Sequence, residues 1–238
     1  YLLAIVSFVV GMVELIIGGL LDIVANDLDV SLGQAGFLMT VFSLAFALAA
    51  PILLSVTQRV ERKRLTLITL FIFLLGNVIA ILSPYYSILL VGRIIAASSG
   101  SLLIALCLTM VPNIVTEQYR ARAIGIVFMG VSASLVLGVP IGLMLGNAFG
   151  WRAPFIMISI LTLVSMAGVF FFLERMAPKP SIPIRRQLRT LKNRKILFAQ
   201  ATSFVMLTGH LTLYGYLTPF LKMKLGLDGT WVSIVYLI

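Results

Sequence analysis

Three ionisable side chains stand inside long apolar runs of this chain: Glu14, Arg93 and His210. A charge in mid-bilayer costs at least about 2.5–3.5 kcal/mol on insertion scales, so residues placed there are candidates for carrying a proton or gripping a ligand. An acid near an arginine has a definite chemistry open to it. Protonating Glu14 removes its attraction to Arg93, and the arginine can then reorganise its contacts with substrate or with neighbouring helices. A permanent ion pair, or a buried protonated acid that only donates a hydrogen bond, is the structural alternative. His210 can titrate near neutral pH or donate a hydrogen bond to a substrate. With one nitrogen satisfied by another helix it is instead packing glue.

Aromatic residues offer a second chemistry. Phe42 and Phe46 are one helical turn apart, and 213-LYGYLTPFL-221 supplies Tyr214, Tyr216 and Phe220. Such rings could clamp a flat ligand by stacking, or anchor helices in the core and at the membrane interface.

The elements that must position these groups follow from composition. With 61% hydrophobic residues, 11% charged and a mean hydropathy of +1.12, the chain of 238 residues is too apolar for one soluble core. An all-α polytopic membrane protein is expected. A hydrocarbon core about 30 Å thick takes roughly 20 apolar residues in helix. Such runs lie at about 4–22, 36–56, 65–83, 87–112, 123–147, 153–173 and 196–221, and an eighth opens near Thr230. The first run continues into more spans and does not read as a cleavable signal.

The excess of positive charge is a report on topology. Loops 57–64, 113–122 and 174–195 hold most of the Lys and Arg, including Arg59, Arg62, Lys63 and Arg64 in the first of them. The intervening loops carry Arg152, Lys222 and Lys224, and the first of these carries Asp22, Asp27 and Asp29. The positive-inside rule then makes the basic loops and the N-terminus cytoplasmic. The basic surface is accounted for without nucleic acid, and contact with anionic lipid is compatible with it. With the first helix leaving the membrane at Asp22 and the fourth re-entering at Tyr86, Glu14 and Arg93 each lie roughly 10–12 Å below the outer surface, so they can pair.

In the fifth run, small residues recur every four positions: Gly130, Ser134, Gly138, Gly142, Gly146 and Gly150. They form one slowly drifting face that another helix can approach closely, and Pro140 removes a backbone donor in its middle and bends the helix. This is either a static packing face or a smooth contact along which two halves separate and reseal. The polar stretch 174–195 divides residues 1–173, a six-helix unit, from residues 196–238, helix seven and the start of helix eight of a second unit. Its Arg185 to Lys195 part has the pattern of a basic helix lying on the membrane surface. The missing initiator Met and the truncated eighth run mark the chain as a fragment, and a six-plus-six plan adds about five further spans. Cys107 is the single cysteine and reads as a small buried apolar residue. No phosphate-binding loop and no metal-ligand spacing occurs in the sequence, so neither ATP nor a metal is expected, and no catalytic constellation marks an enzyme.

Several segments resemble the major facilitator superfamily, in particular its twelve-helix drug:proton antiporter branch, which includes the arabinose-efflux-like permeases. GLLDIVANDLDVSLGQAGFL at 19–38 resembles the exit of that family's first helix, with Asp22 where relatives commonly have Pro. PILLSVTQRVERKRL at 51–65 is similar to its signature loop between helices two and three, with Thr57 and Glu61 in place of the usual Asp and Gly. GRIIAASSG at 92–100 resembles its fourth-helix motif, which begins with an embedded arginine. LGVPIG, followed by GWRAPF, resembles the antiporter signature of helix five. VANDLD, RARAIGIVFMG and GHLTLYGYLTPFL further resemble the bacterial permeases that export purine bases and nucleosides.

The resemblance implies a multi-pass protein of the bacterial inner membrane, acting as a monomer, that exports a small organic solute, most specifically a purine, by alternating access. It uses the proton gradient as energy source and needs no cofactor. Glu14 and Arg93 would couple the proton, and Gly138, Pro140 and Gly142 would form the moving contact. Phe42, Phe46, His210, Tyr214 and Tyr216 would touch the substrate. Rival readings are a broad drug or sugar pump of the same family, and a sensor or scaffold that transports nothing.

Overall fold

The apolar runs fold as helices because a backbone surrounded by lipid must satisfy its N–H and C=O groups within its own segment. A computed structural model describes residues 1–177 and 193–226, together with Trp231 and Val235. Its helices are α1 (Leu2–Asp27), α2 (Leu32–Val56), α3 (Arg62–Leu82), α4 (Tyr86–Ile114), α5 (Arg120–Ala133), α6 (Val139–Phe149), α7 (Ala153–Phe172) and α8 (Arg194–Leu225). Among the described residues, α1, α2, α3, α4, the α5–α6 segment and α7 are long and apolar enough to cross a membrane. The expected surface helix at 185–195 and the eighth run fall largely outside the described residues.

Local signals explain several boundaries. Ser31 opens α2 with a capping box: its Oγ accepts from the Gln34 N–H at 3.2 Å, and its own N–H donates to Gln34 Oε1 at 2.9 Å. Gly150 ends α6 with φ 86°, a conformation that side chains beyond glycine adopt with strain. α1 continues past Asp22, where the apolar run ends, as far as Asp27. A helix propagates through one acid when its other neighbours are good helix formers.

α1 is the centre of the bundle. It packs against α2, α4, α5, α6, α7 and α8, and Val6, Val13, Ile16, Ile17, Leu20 and Val24 along it are fully buried. The small-residue stripe of the fifth span explains part of this. Gly138 faces Met12, Gly142 faces Ile16 and Gly146 faces Leu20, each so closely that an added Cβ would collide with the α1 side chain. Gly130 meets the backbone of Ala4 in the same way. In this arrangement α1 of the same unit occupies that face, since glycine at every fourth position fits one helix of matching register. Just before Pro140 the helix passes through a π-helical turn at Ser134–Gly138, which accommodates a residue with no N–H to donate.

A second close crossing joins α3 and α4. A Cβ on Gly76 would lie 2.7 Å from the Ala96 nitrogen, and one on Gly92 would lie 2.9 Å from the Gly76 carbonyl oxygen. Here backbone meets backbone.

At one end of the bundle, polar residues tie three elements together. Asp27 Oδ2 accepts from Trp151 Nε1 at 2.8 Å and from Arg152 Nη1 at 2.7 Å, while Arg152 Nη2 donates to the Ser83 carbonyl at 2.9 Å. The guanidinium also lies over the Trp151 ring, 4.2 Å from its centroid. The ends of α1 and α3 are thus fixed to the turn before α7. Because Asp27 and Arg152 remain partly open to solvent, their pairing is screened and of modest strength. Asp27→Ala is expected to cost about 1 kcal/mol, read as earlier thermal unfolding in detergent by the fluorescence of buried Trp151, with the deficit shrinking in high salt.

Candidate functional site

Arg93 sits two turns into α4, beside the glycine crossing that brings α3 against it. Its side chain is 1% exposed. Nη1 donates to the Val13 carbonyl of α1 at 2.7 Å. The guanidinium carbon stands 4.0 Å from the centroid of the Phe42 ring, a desolvated cation–π contact worth about 2 kcal/mol. Phe42 is fully buried, and Phe46 stacks on it at 5.9 Å with 25° between the planes. Gly100 lies closest to Val10, 3.1 Å from where a Cβ would stand, with the Phe46 ring edge at 3.6 Å, an ordinary contact distance.

Glu14 follows Val13 directly, so the hydrogen bond from Arg93 reaches α1 next to the acid. Glu14 is half-buried and interacts with Arg93 electrostatically, yet no ion pair within 4.0 Å joins them among the described residues. Two guanidinium donors, Nε and Nη2, are buried without a hydrogen-bond partner. Leaving such donors unpaired costs about 1–3 kcal/mol, and that cost is relieved by any arrangement that brings them an acceptor.

The structure therefore brings Arg93, Phe42, Phe46 and the Val13–Glu14 backbone together. Of the expected residues of α8, the described ones lie in other surroundings. His210 is exposed, and Tyr216 is 57% exposed with its hydroxyl 3.6 Å from the Cβ position of Gly36, at the start of α2. The side chain of Tyr214 lies outside the described residues. Leu221 of α8 is buried, consistent with the packing of α8 on α1. Gly138 and Gly142 are buried against α1, and Pro140 between them is buried as well.

The basic loop separates by environment. Arg59 and Arg64 are exposed, whereas Arg62 is 5% exposed and its backbone N–H donates to the Met176 carbonyl at 3.2 Å. Lys63 lies 5.8 Å from the Phe170 ring centroid. A cavity of about 370 Å³ at this end is lined by Leu3, Val111, Ile126 and Phe172 among others, and it holds none of the residues expected to touch substrate. No group of three or more metal-ligating side chains occurs among the described residues.

Sequence reasoning missed Asp27, Trp151 and Arg152. The available signal was an acid and an adjacent Trp-Arg pair in two loops at the same end. It also missed the Val13 carbonyl, since a backbone acceptor has no letter in the sequence.

Comparison with known proteins gives a consistent result. The chain is 39% identical over its whole length to the MFS-type transporter YbcL of Bacillus subtilis (strain 168), covering 61% of that protein. It is 29% identical over 92% of its length to the inner membrane transport protein YdhP of Escherichia coli (strain K12), covering 57% of it. The chain thus spans about 61% of the length of a curated relative it matches. Among solved structures it resembles a bacterial homologue of the human lysosomal transporter Spinster in its inward-facing, unoccupied conformation, with a TM-score of 0.82 at 18% identity. That likeness covers 99% of this chain and 57% of the other, and it concerns the fold. The family profile described as Major Facilitator Superfamily matches residues 3–238, and the chain belongs to that family of membrane transporters.

Proposed function

We propose that the full protein is a proton-coupled exporter of small organic solutes, with purine bases and nucleosides as its main cargo. It works by alternating access in the bacterial inner membrane, as a monomer with the N-terminus and basic loops in the cytoplasm. The observation that carries the coupling reading is the state of Arg93. It is a buried cation held to α1 by the Val13 carbonyl, next to Glu14 but without a contact ion pair. An ionised Glu14 draws the guanidinium toward itself, and a protonated one releases it. The two charge states favour different arrangements of α1 against α4. Gly138 and Gly142, either side of Pro140, seat the fifth span on the same helix, so a shift of α1 passes to that span. Coupling requires only that the proton bind one arrangement better than the other, by roughly 1–3 kcal/mol. The purine reading rests on the family resemblance of the quoted segments.

The test uses full-length protein in proteoliposomes with an imposed pH gradient. Radiolabelled hypoxanthine is expected to move uphill against the proton flow. Movement indifferent to the gradient would remove the antiport reading, and export of ethidium in place of hypoxanthine would assign the protein to the broad drug pumps.

A further inference from the structure

We infer that Arg93 recognises a planar ligand through two adjacent in-plane acceptors, and that a 6-oxopurine is preferred over a 6-aminopurine for this reason. This inference rests on the purine reading above. The geometry is that of one side chain with its contacts divided. Nη1 is committed to the Val13 carbonyl, and one face of the guanidinium is covered by Phe42. What remains is the edge formed by Nε and Nη2, buried and without a partner. These two N–H groups are parallel, and together they form the fork that binds two neighbouring acceptors side by side.

A 6-oxopurine presents that pair as O6 and N7, the same edge that arginine grips on guanine in nucleic acid, whereas a 6-aminopurine presents one acceptor and one donor. A donor facing a donor leaves both unsatisfied in a dry site. Phe42, which covers one face of the guanidinium, stacks in turn on half-buried Phe46. The edge is closed over in the arrangement described here, so the ligand reaches it when α1 and its neighbours move during the transport cycle. A carboxylate satisfies the same fork, and the experiment must separate it from a purine.

Competition against radiolabelled hypoxanthine is measured with the full-length protein in proteoliposomes, using adenine, 7-deazahypoxanthine and benzoate as competitors. In the wild type, adenine and 7-deazahypoxanthine are each expected to compete about tenfold more weakly than unlabelled hypoxanthine, the size of one lost bidentate contact. Arg93→Lys keeps the charge and loses the fork, so the three purines should then compete within about twofold of one another. Equal competition by all three in the wild type overturns the inference, and that comparison involves no variant protein. A uniform weakening of all three in Arg93→Lys overturns it too, because the arginine would then act on the cycle and not on recognition. Benzoate competition that depends on Arg93 reassigns the edge to carboxylates. If wild-type protein moves no hypoxanthine at all, the purine reading itself has failed.

Discussion

Glu14→Gln is expected to abolish uphill export while leaving downhill exchange of the same solute in place. With the membrane potential clamped, a one-unit pH gradient driving one proton against one neutral solute sustains about a tenfold concentration ratio. The variant should hold a ratio near one. Glutamine keeps the size and much of the hydrogen bonding of a protonated glutamate, but it can never become charged. The helix arrangement that goes with neutral Glu14 is therefore available to it, and the proton has nothing to bind. Counterflow, in which labelled solute exchanges for unlabelled solute without a gradient, separates this from simple misfolding. A Glu14→Gln protein that still builds a pH-driven ratio would remove Glu14 as the proton carrier. Loss of counterflow as well would show that the acid is needed for the structure and not for coupling.

Gly92→Leu should prevent assembly of the bundle around Arg93. A Cβ at this position lies 2.9 Å from the Gly76 carbonyl oxygen and 3.1 Å from the Ala80 nitrogen. These are backbone atoms of α3, so no rotamer change relieves the collision and the two helices must separate. Overpacking of this kind costs about 1–3 kcal/mol where side chains can yield, and more where they cannot. Separation also displaces α4 at the position that carries Arg93, which stretches its hydrogen bond to Val13. The expected outcome is little monodisperse protein in detergent and loss of transport from what remains. Gly125→Leu is the matched control: nothing lies within 4 Å of its Cβ position, and yield should be unchanged. A stable, active Gly92→Leu protein would mean that the α3–α4 crossing is looser than its backbone contacts indicate.

Much of the fold was legible because membrane spans are written locally. A run of apolar residues long enough for the bilayer becomes a helix whatever its neighbours do, and the first seven runs appear as helical segments within a few residues of their expected limits. α1 runs past Asp22 to Asp27 because hydropathy marks where a helix enters water and not where its hydrogen bonding ends. Glu14 and Arg93 were legible by cost alone, because a charge among apolar residues is rare enough to be noticed.

Partner choice was not legible. The glycine stripe of the fifth span announced a close contact but not which helix fills it, and the helix proved to be α1 of the same unit. Nor does composition distinguish α1 from α2: both are strongly apolar, yet 71% of the apolar stretch of α1 is buried against 11% for α2. Lipid and protein interior are nearly equivalent for a leucine, so hydropathy cannot tell which face meets which. The sequence by itself determined that this chain crosses a membrane repeatedly and keeps an acid and an arginine inside it. Only the tertiary structure decided that the arginine bonds the Val13 carbonyl, stacks on Phe42 and keeps one edge unpaired. Those contacts depend on helix packing and on a backbone oxygen, and neither is encoded by any single residue.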